Sequence, residues 1–181
     1  MTEPKTMTTR LLNARLEHFI QVLLPLFRIT EKELELFKKP RIRRILRPGE
    51  FPEKRREVPA YSFAENFFYF PLKDPGYQLN VFSNPVVCHE VGHFIHYHIN
   101  PVILRQKIAE FETANRQPNK RLYKLVEIVA EYSNFILDMN YEKDSWIMEE
   151  AKMIYHKYGA EFLPRLSRIS LEEAIDFGIF R

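Results

Sequence analysis

Hydrophobic residues recur every three or four positions over most of the chain, and this spacing predicts a largely helical protein. The first such segment runs from Leu11 to Leu24, and Pro25 weakens the helix where this segment ends. A second, shorter helix is predicted from Thr30 to about Lys39, because Glu33 completes a capping box with Thr30. Further helices are predicted between Asn84 and Asn100 and at residues 102–113, 120–139, 145–158 and 171–177.

Between Pro59 and Phe82 the pattern changes to one that is typical of β-strands. The aromatic run Phe67–Phe70 is strand-prone, and residues 64–66 before it form a plausible turn. Another short strand is predicted at residues 79–82, after the turn-prone Asp74-Pro75-Gly76. Together these segments predict an α+β fold, in which a small sheet is backed by several helices.

The stretch from Lys38 to Arg56 is strongly basic, with nine lysine or arginine residues against only two glutamates. Prolines and a glycine are concentrated in its second half, which is typical of a loop or linker. We therefore predict an N-terminal helical segment with a basic linker, residues 1–58, followed by a main domain, residues 59–181.

The overall composition is that of an ordinary globular protein, since 45% of the 181 residues are hydrophobic and 28% are charged. A single cysteine, Cys88, excludes an intramolecular disulfide framework and a cysteine-based zinc cluster. The first helical segment contains Arg15, Glu17 and His18, which excludes a membrane span or a signal-peptide core there. We expect a cytoplasmic protein that makes no membrane contact.

The segment His89-Glu90-Val91-Gly92-His93 lies within the helix predicted after Asn84. Histidines four residues apart lie on one helical face, so both imidazoles can reach the same metal ion. Glu90 points beside that ion, where its carboxylate could accept a proton from a metal-bound water. Gly92 has no side chain and lets another element approach the helix closely. The simpler alternative is a polar helix face that contains two histidines by coincidence.

A catalytic zinc site also needs a third protein ligand and an open position for water. His96 lies about one turn beyond His93, too far along a straight helix for all three histidines to converge on one ion. Glu127 and Glu131 are better candidates, because they share one face of a mainly apolar predicted helix, where buried carboxylates need partners. Either of the two glutamates could therefore be the third ligand.

The two motifs together resemble the gluzincin branch of the HExxH metallopeptidases, and most of all the small minigluzincins. They are also similar to the zincin domains of bacterial regulator-cleaving proteases. The resemblance covers about Tyr61 to Asp138 and depends on the second motif, which begins 34 residues after His93. It implies a zincin-like fold, in which a mostly antiparallel sheet packs on the active-site helix and on further helices.

The resemblance also implies a zinc ion, Zn²⁺, bound by His89, His93 and Glu127. Glu131 stands where such proteins usually have an aspartate that hydrogen-bonds the first histidine, so the roles of the two glutamates could be exchanged. The implied activity is hydrolysis of a peptide bond in a peptide or protein substrate, with Glu90 as the general base.

Two further features of the mechanism are implied by the resemblance. A hydrogen-bond donor often helps to stabilise the transition state, and the candidates in this chain are Tyr132, His96, Tyr155 and His156. The substrate would lie extended along an edge strand, for which residues 67–70 and 79–82 are candidates.

The basic stretch supports a competing hypothesis, a nucleic-acid-binding regulator in which the metal is structural or sensory. Its phosphate-binding residues would be Arg41, Arg43, Arg44 and Arg47. No nucleic-acid-binding motif accompanies them, so a solvated charged loop is the simpler interpretation.

A third hypothesis is a catalytically inactive zincin scaffold used for protein interaction. A di-iron bundle is excluded, because only Glu90–His93 supplies the Glu-x-x-His pattern that such a site needs twice.

Overall fold

The computed structural model describes residues 7–45, 59–72, 83–113, 118–139 and 146–180, and the predicted α+β class is confirmed. Its elements, in chain order, are α1 (Thr9–Leu26), α2 (Glu31–Leu34), β1 (Arg41–Ile45), β2 (Ala60–Ser62), β3 (Phe67–Pro71), α3 (Asn84–Ile99), α4 (Pro101–Glu112), α5 (Lys120–Ile136), α6 (Trp146–Tyr158), a 3₁₀ turn (Ala160–Phe162), α7 (Leu163–Leu166) and α8 (Leu171–Asp176). None of the described helices combines the length and the apolar character that a membrane-spanning segment requires.

Two of the short helices, α2 and α8, begin at capping boxes. The predicted capping box of Thr30 and Glu33 forms at the start of α2, although this helix ends at Leu34 rather than near residue 39. A second capping box, of Ser170 and Glu173, begins α8. Each box satisfies backbone N–H groups that have no partner within the helix, so these helix starts depend on residues three positions apart.

The described strands form one mixed sheet in the order β1-β3-β2. β2 pairs with β3 in antiparallel fashion, with Tyr61 opposite Phe68, whereas β1 pairs with β3 in parallel. The sequence suggested neither β1 nor a parallel pairing, because closely spaced arginines obscure the alternation of polar and apolar residues around Ile42.

The prediction that residues 67–70 form an edge strand for substrate binding is wrong. β3 is the central strand of the described sheet, and both of its sides are already hydrogen-bonded to neighbouring strands. Residues 79–82 lie outside the described residues.

Helix α3 lies at the centre of the molecule and is buried on nearly every side. Helices α1, α4 and α5 and strand β2 all pack against it. One hydrophobic cluster contains both Leu23 of α1 and Phe94 of α3. Elements from both sides of the predicted boundary at residue 58 therefore share a core and a sheet, while the boundary itself lies outside the described residues.

Candidate metal centre

The two motif-bearing helices, α3 and α5, touch each other through their backbones at Gly92. A Cβ atom added to Gly92 would lie 3.0 Å from the Cα of Ala130 and 3.4 Å from its Cβ. The prediction that Gly92 admits a close neighbour is therefore confirmed, and the neighbour is α5. The contact lies beside His89 and His93 on α3 and one turn from Glu127 on α5, which brings the two sets of side chains together.

Three side chains converge at this crossing, and their ligand atoms all lie within 4.8 Å of one another. The Nε2 atom of His89 is 2.9 Å from Nε2 of His93. Glu127 places Oε2 at 3.2 Å from the first of these nitrogens and Oε1 at 3.3 Å from the second. Both histidines are only 8% exposed. The chain thus contains a buried group of two imidazoles and one carboxylate that could hold a metal ion.

Glu131 lies on the other side of the first imidazole. Its Oε1 is 2.9 Å from Nδ1 of His89, the nitrogen that faces away from Glu127. Its Oε2 accepts a hydrogen bond from Nδ2 of Asn134 at 3.3 Å. The structure therefore groups Glu127, and not Glu131, with the two Nε2 atoms. Asn134 was not predicted from the sequence, although a polar residue on the buried face of an apolar helix is a signal that could indicate it.

The charges of this group are strongly coupled. Burial acts to lower the pKa of His89, but Glu127 and Glu131 together raise it well above its ordinary value. Burial acts to raise the pKa of the Glu127 carboxyl, yet His93 and His89 lower it below its usual range. Carboxylate and imidazolium therefore stabilise each other in a place that water barely reaches. A divalent cation bound here would take over the role of the imidazolium charge.

Glu90 is held by the sheet rather than by the other motif residues. Its Oε2 accepts a hydrogen bond of 2.8 Å from the backbone N–H of Tyr61 in β2. The side chain is 8% exposed, and burial raises the pKa of its carboxyl. The Tyr61 amide was missed by the sequence analysis, because a backbone donor on a distant strand has no sequence signal.

The two main candidates for a transition-state donor, Tyr132 and His96, are both fully buried. Tyr132 is fully buried, and its hydroxyl donates a hydrogen bond of 2.7 Å to the carbonyl of Gly159. His96 is also fully buried, and neither of its ring nitrogens has a hydrogen-bond partner among the described residues. Burial, with a smaller effect from His93, lowers the pKa of His96 to about 3, so it is a neutral interior residue.

The predicted basic cluster is divided between the two faces of β1. Arg41 and Arg43 are exposed on the same face, and the guanidinium of Arg43 lies 5.9 Å from the ring centroid of Tyr69. Arg44 points to the other face and donates to the carbonyl of Leu72. Arg47, like residues 54–56, lies outside the described residues. Only two of the four proposed phosphate-binding arginines thus share a face in the described part of the chain.

In comparisons with protein-family models, with curated proteins and with solved structures, nothing matched this chain. The resemblance to the gluzincins therefore depends on the two motifs alone.

Proposed function

We propose that this protein is a zinc-dependent metallopeptidase. The observation that carries the proposal is the convergence of His89, His93 and Glu127 with the carboxylate of Glu90 beside them. Donor atoms bound to zinc at about 2.0–2.1 Å in a tetrahedron are about 3.3 Å apart. The two Nε2 atoms here are 2.9 Å apart, and each lies 3.2 or 3.3 Å from an oxygen of Glu127, Oε2 for His89 and Oε1 for His93. One ligand atom from each of the three residues lies within 4.8 Å of the other two. Two imidazoles and one carboxylate are also a donor set that zinc favours in catalytic sites.

Peptide hydrolysis by this site depends on proton transfer by Glu90. When bound, the zinc ion would supply Lewis acidity toward a water molecule and the scissile carbonyl. Glu90 takes a proton from the attacking water and delivers it to the nitrogen of the leaving amine as the C–N bond breaks. The Tyr61 amide occupies Oε2 of Glu90 and leaves Oε1 for this exchange. Burial, which raises the pKa of Glu90, makes its carboxylate a stronger base.

The sheet offers a place for an extended substrate. β2 is an edge strand of the described sheet, and it lies against α3 next to Glu90. A peptide that added to an edge strand would form backbone hydrogen bonds with little dependence on sequence. We therefore expect the substrate to be an unfolded or extended segment of a peptide or protein, bound along β2.

The proposal is tested by the variant E90Q, which keeps the size of the side chain and removes its basicity. We expect E90Q to retain zinc and to lose turnover of a peptide library, measured by metal analysis and mass spectrometry. E149Q, which changes an exposed carboxylate on α6, is the matched control and should cleave like the wild type. Cleavage by E90Q at the wild-type rate would refute the assigned base. A wild type that holds zinc but cleaves nothing would instead support the inactive scaffold.

A further inference from the structure

The carboxylate of Glu131 is held from two sides by other side chains. Oε1 lies against Nδ1 of His89 at 2.9 Å, and Oε2 accepts from Nδ2 of Asn134 at 3.3 Å. Glu131 is 7% exposed and Asn134 is 1% exposed. A chain of three side chains therefore leads from the imidazole of His89 into the core.

Asn134 is a poor choice for the stability of the fold alone. Its Oδ1 is buried and has no hydrogen-bond partner among the described residues, which is unfavourable for a polar atom. Asparagine is also a weaker helix former than leucine or alanine at a position within α5. Rotating the amide by half a turn would place Oδ1 against Oε2 of Glu131, and both atoms are acceptors. The side chain thus leaves its acceptor unsatisfied and uses its donor on Glu131.

We propose that Asn134 is a positioning residue of the metal centre and acts on His89 through Glu131. The inference rests on the zinc centre of the proposed function. A glutamate has three side-chain torsions, so one contact at Oε1 leaves its carboxylate free to rotate. The second hydrogen bond, from Asn134, fixes the plane of that carboxylate. Oε1 then lies against Nδ1 of His89, which turns the ring so that Nε2, the nitrogen a zinc ion would bind, is directed toward His93 and Glu127.

The first test is a double-mutant cycle on zinc affinity. N134L keeps the number and branching of the side-chain heavy atoms, with more bulk, but removes the donor, and we expect it to weaken zinc binding about tenfold. In the E131A background the same substitution should change the affinity little, because Asn134 acts only through Glu131. S133A, which truncates the neighbouring buried side chain bonded to the Val129 carbonyl, is the control and should bind zinc normally. An equal loss in both backgrounds, or no loss in the wild type, would overturn the inference. N134A replaces N134L if circular dichroism shows that the latter is unfolded.

The second test needs no metal. In ¹⁵N-labelled metal-free protein we expect the Nδ1 proton of His89 to exchange slowly with water, because Glu131 holds it. This slowly exchanging signal should be lost in N134L and kept in S133A. A signal that survives unchanged in N134L, or that the wild type lacks, would contradict the inference. If the wild type binds no zinc, the proposed function fails, and this exchange measurement alone decides whether Asn134 holds Glu131 against His89.

Discussion

The Cα of Ala130 lies only 3.0 Å from the point where a side chain on Gly92 would begin. Because this contact is made with backbone, it sets how closely α3 can approach α5. The separation of the two helices in turn sets the distance between Glu127 and the imidazoles of His89 and His93. A small residue at one crossing point therefore controls the geometry of the whole metal-binding group.

The variant G92A should push α3 and α5 apart. We expect overpacking to lower the free energy of unfolding by about 1–3 kcal/mol, partly offset by about 1 kcal/mol from the better helix propensity of alanine. Zinc affinity should fall as well, since Glu127 moves away from the two histidines. Urea unfolding and zinc titration measure the two effects.

The companion variant A130G distinguishes contact with backbone from contact with the side chain. Adding A130G to G92A should not restore zinc binding, because the nearest atom to the new methyl group is the Cα of residue 130 and not its Cβ. Wild-type zinc affinity in G92A would show that this crossing does not set the geometry of the site.

The two glutamates of α5 should differ in their importance for metal binding. E131Q removes a carboxylate that contacts His89 at Nδ1 and is not grouped with the two Nε2 atoms, and we expect zinc affinity to fall about 10–100-fold. E127Q removes the carboxylate that faces both Nε2 atoms, and the loss should be larger. Competition with a chromophoric chelator measures both affinities under the same conditions. The reverse order would identify Glu131 as the metal ligand.

The ion pair of Glu33 and Arg168 should make stability depend on pH. Nε and Nη2 of Arg168 each donate to one oxygen of Glu33 at 2.9 Å. The hydrogen bond from Arg168 lowers the pKa of Glu33 from 4.5 to about 2, although burial opposes the shift. A carboxyl with a lowered pKa stabilises the fold above its unfolded pKa, and this contribution is lost as the pH falls from 4.5 toward 2.

The variant E33Q tests this dependence. Near neutral pH we expect it to be less stable than the wild type by about 1 kcal/mol, a value reduced for the partial exposure of the pair. The difference should disappear as the pH is lowered toward 2, when Glu33 of the wild type becomes protonated. Urea unfolding over this pH range measures it, and E35Q, at an exposed position after the same helix, is the control. A difference that is independent of pH would show that loss of charge is not the cause.

Local features of this protein were predictable from the sequence because they depend on residues within one or two helical turns. The two capping boxes and the positions of His89 and His93 on one face are of this kind. The period of the hydrophobic residues also predicted the long helices, because the interior must be apolar whichever way the helices pack.

Other features are set by partners that are distant in the sequence. The parallel pairing of β1 depends on β3, which lies beyond β2 in the chain. The orientation of Tyr132 depends on the carbonyl of Gly159 on another element. Neither partner can be inferred from the residues around these positions.

The two acids of α5 show the division between sequence and structure most clearly. Glu127 and Glu131 lie four residues apart on one helical face, so the sequence alone determined that both could approach the histidines. Which one meets the Nε2 atoms depends on where along α5 the helix α3 crosses. The close contact of Gly92 with Ala130 sets that point, and such a contact exists only once the two helices have packed.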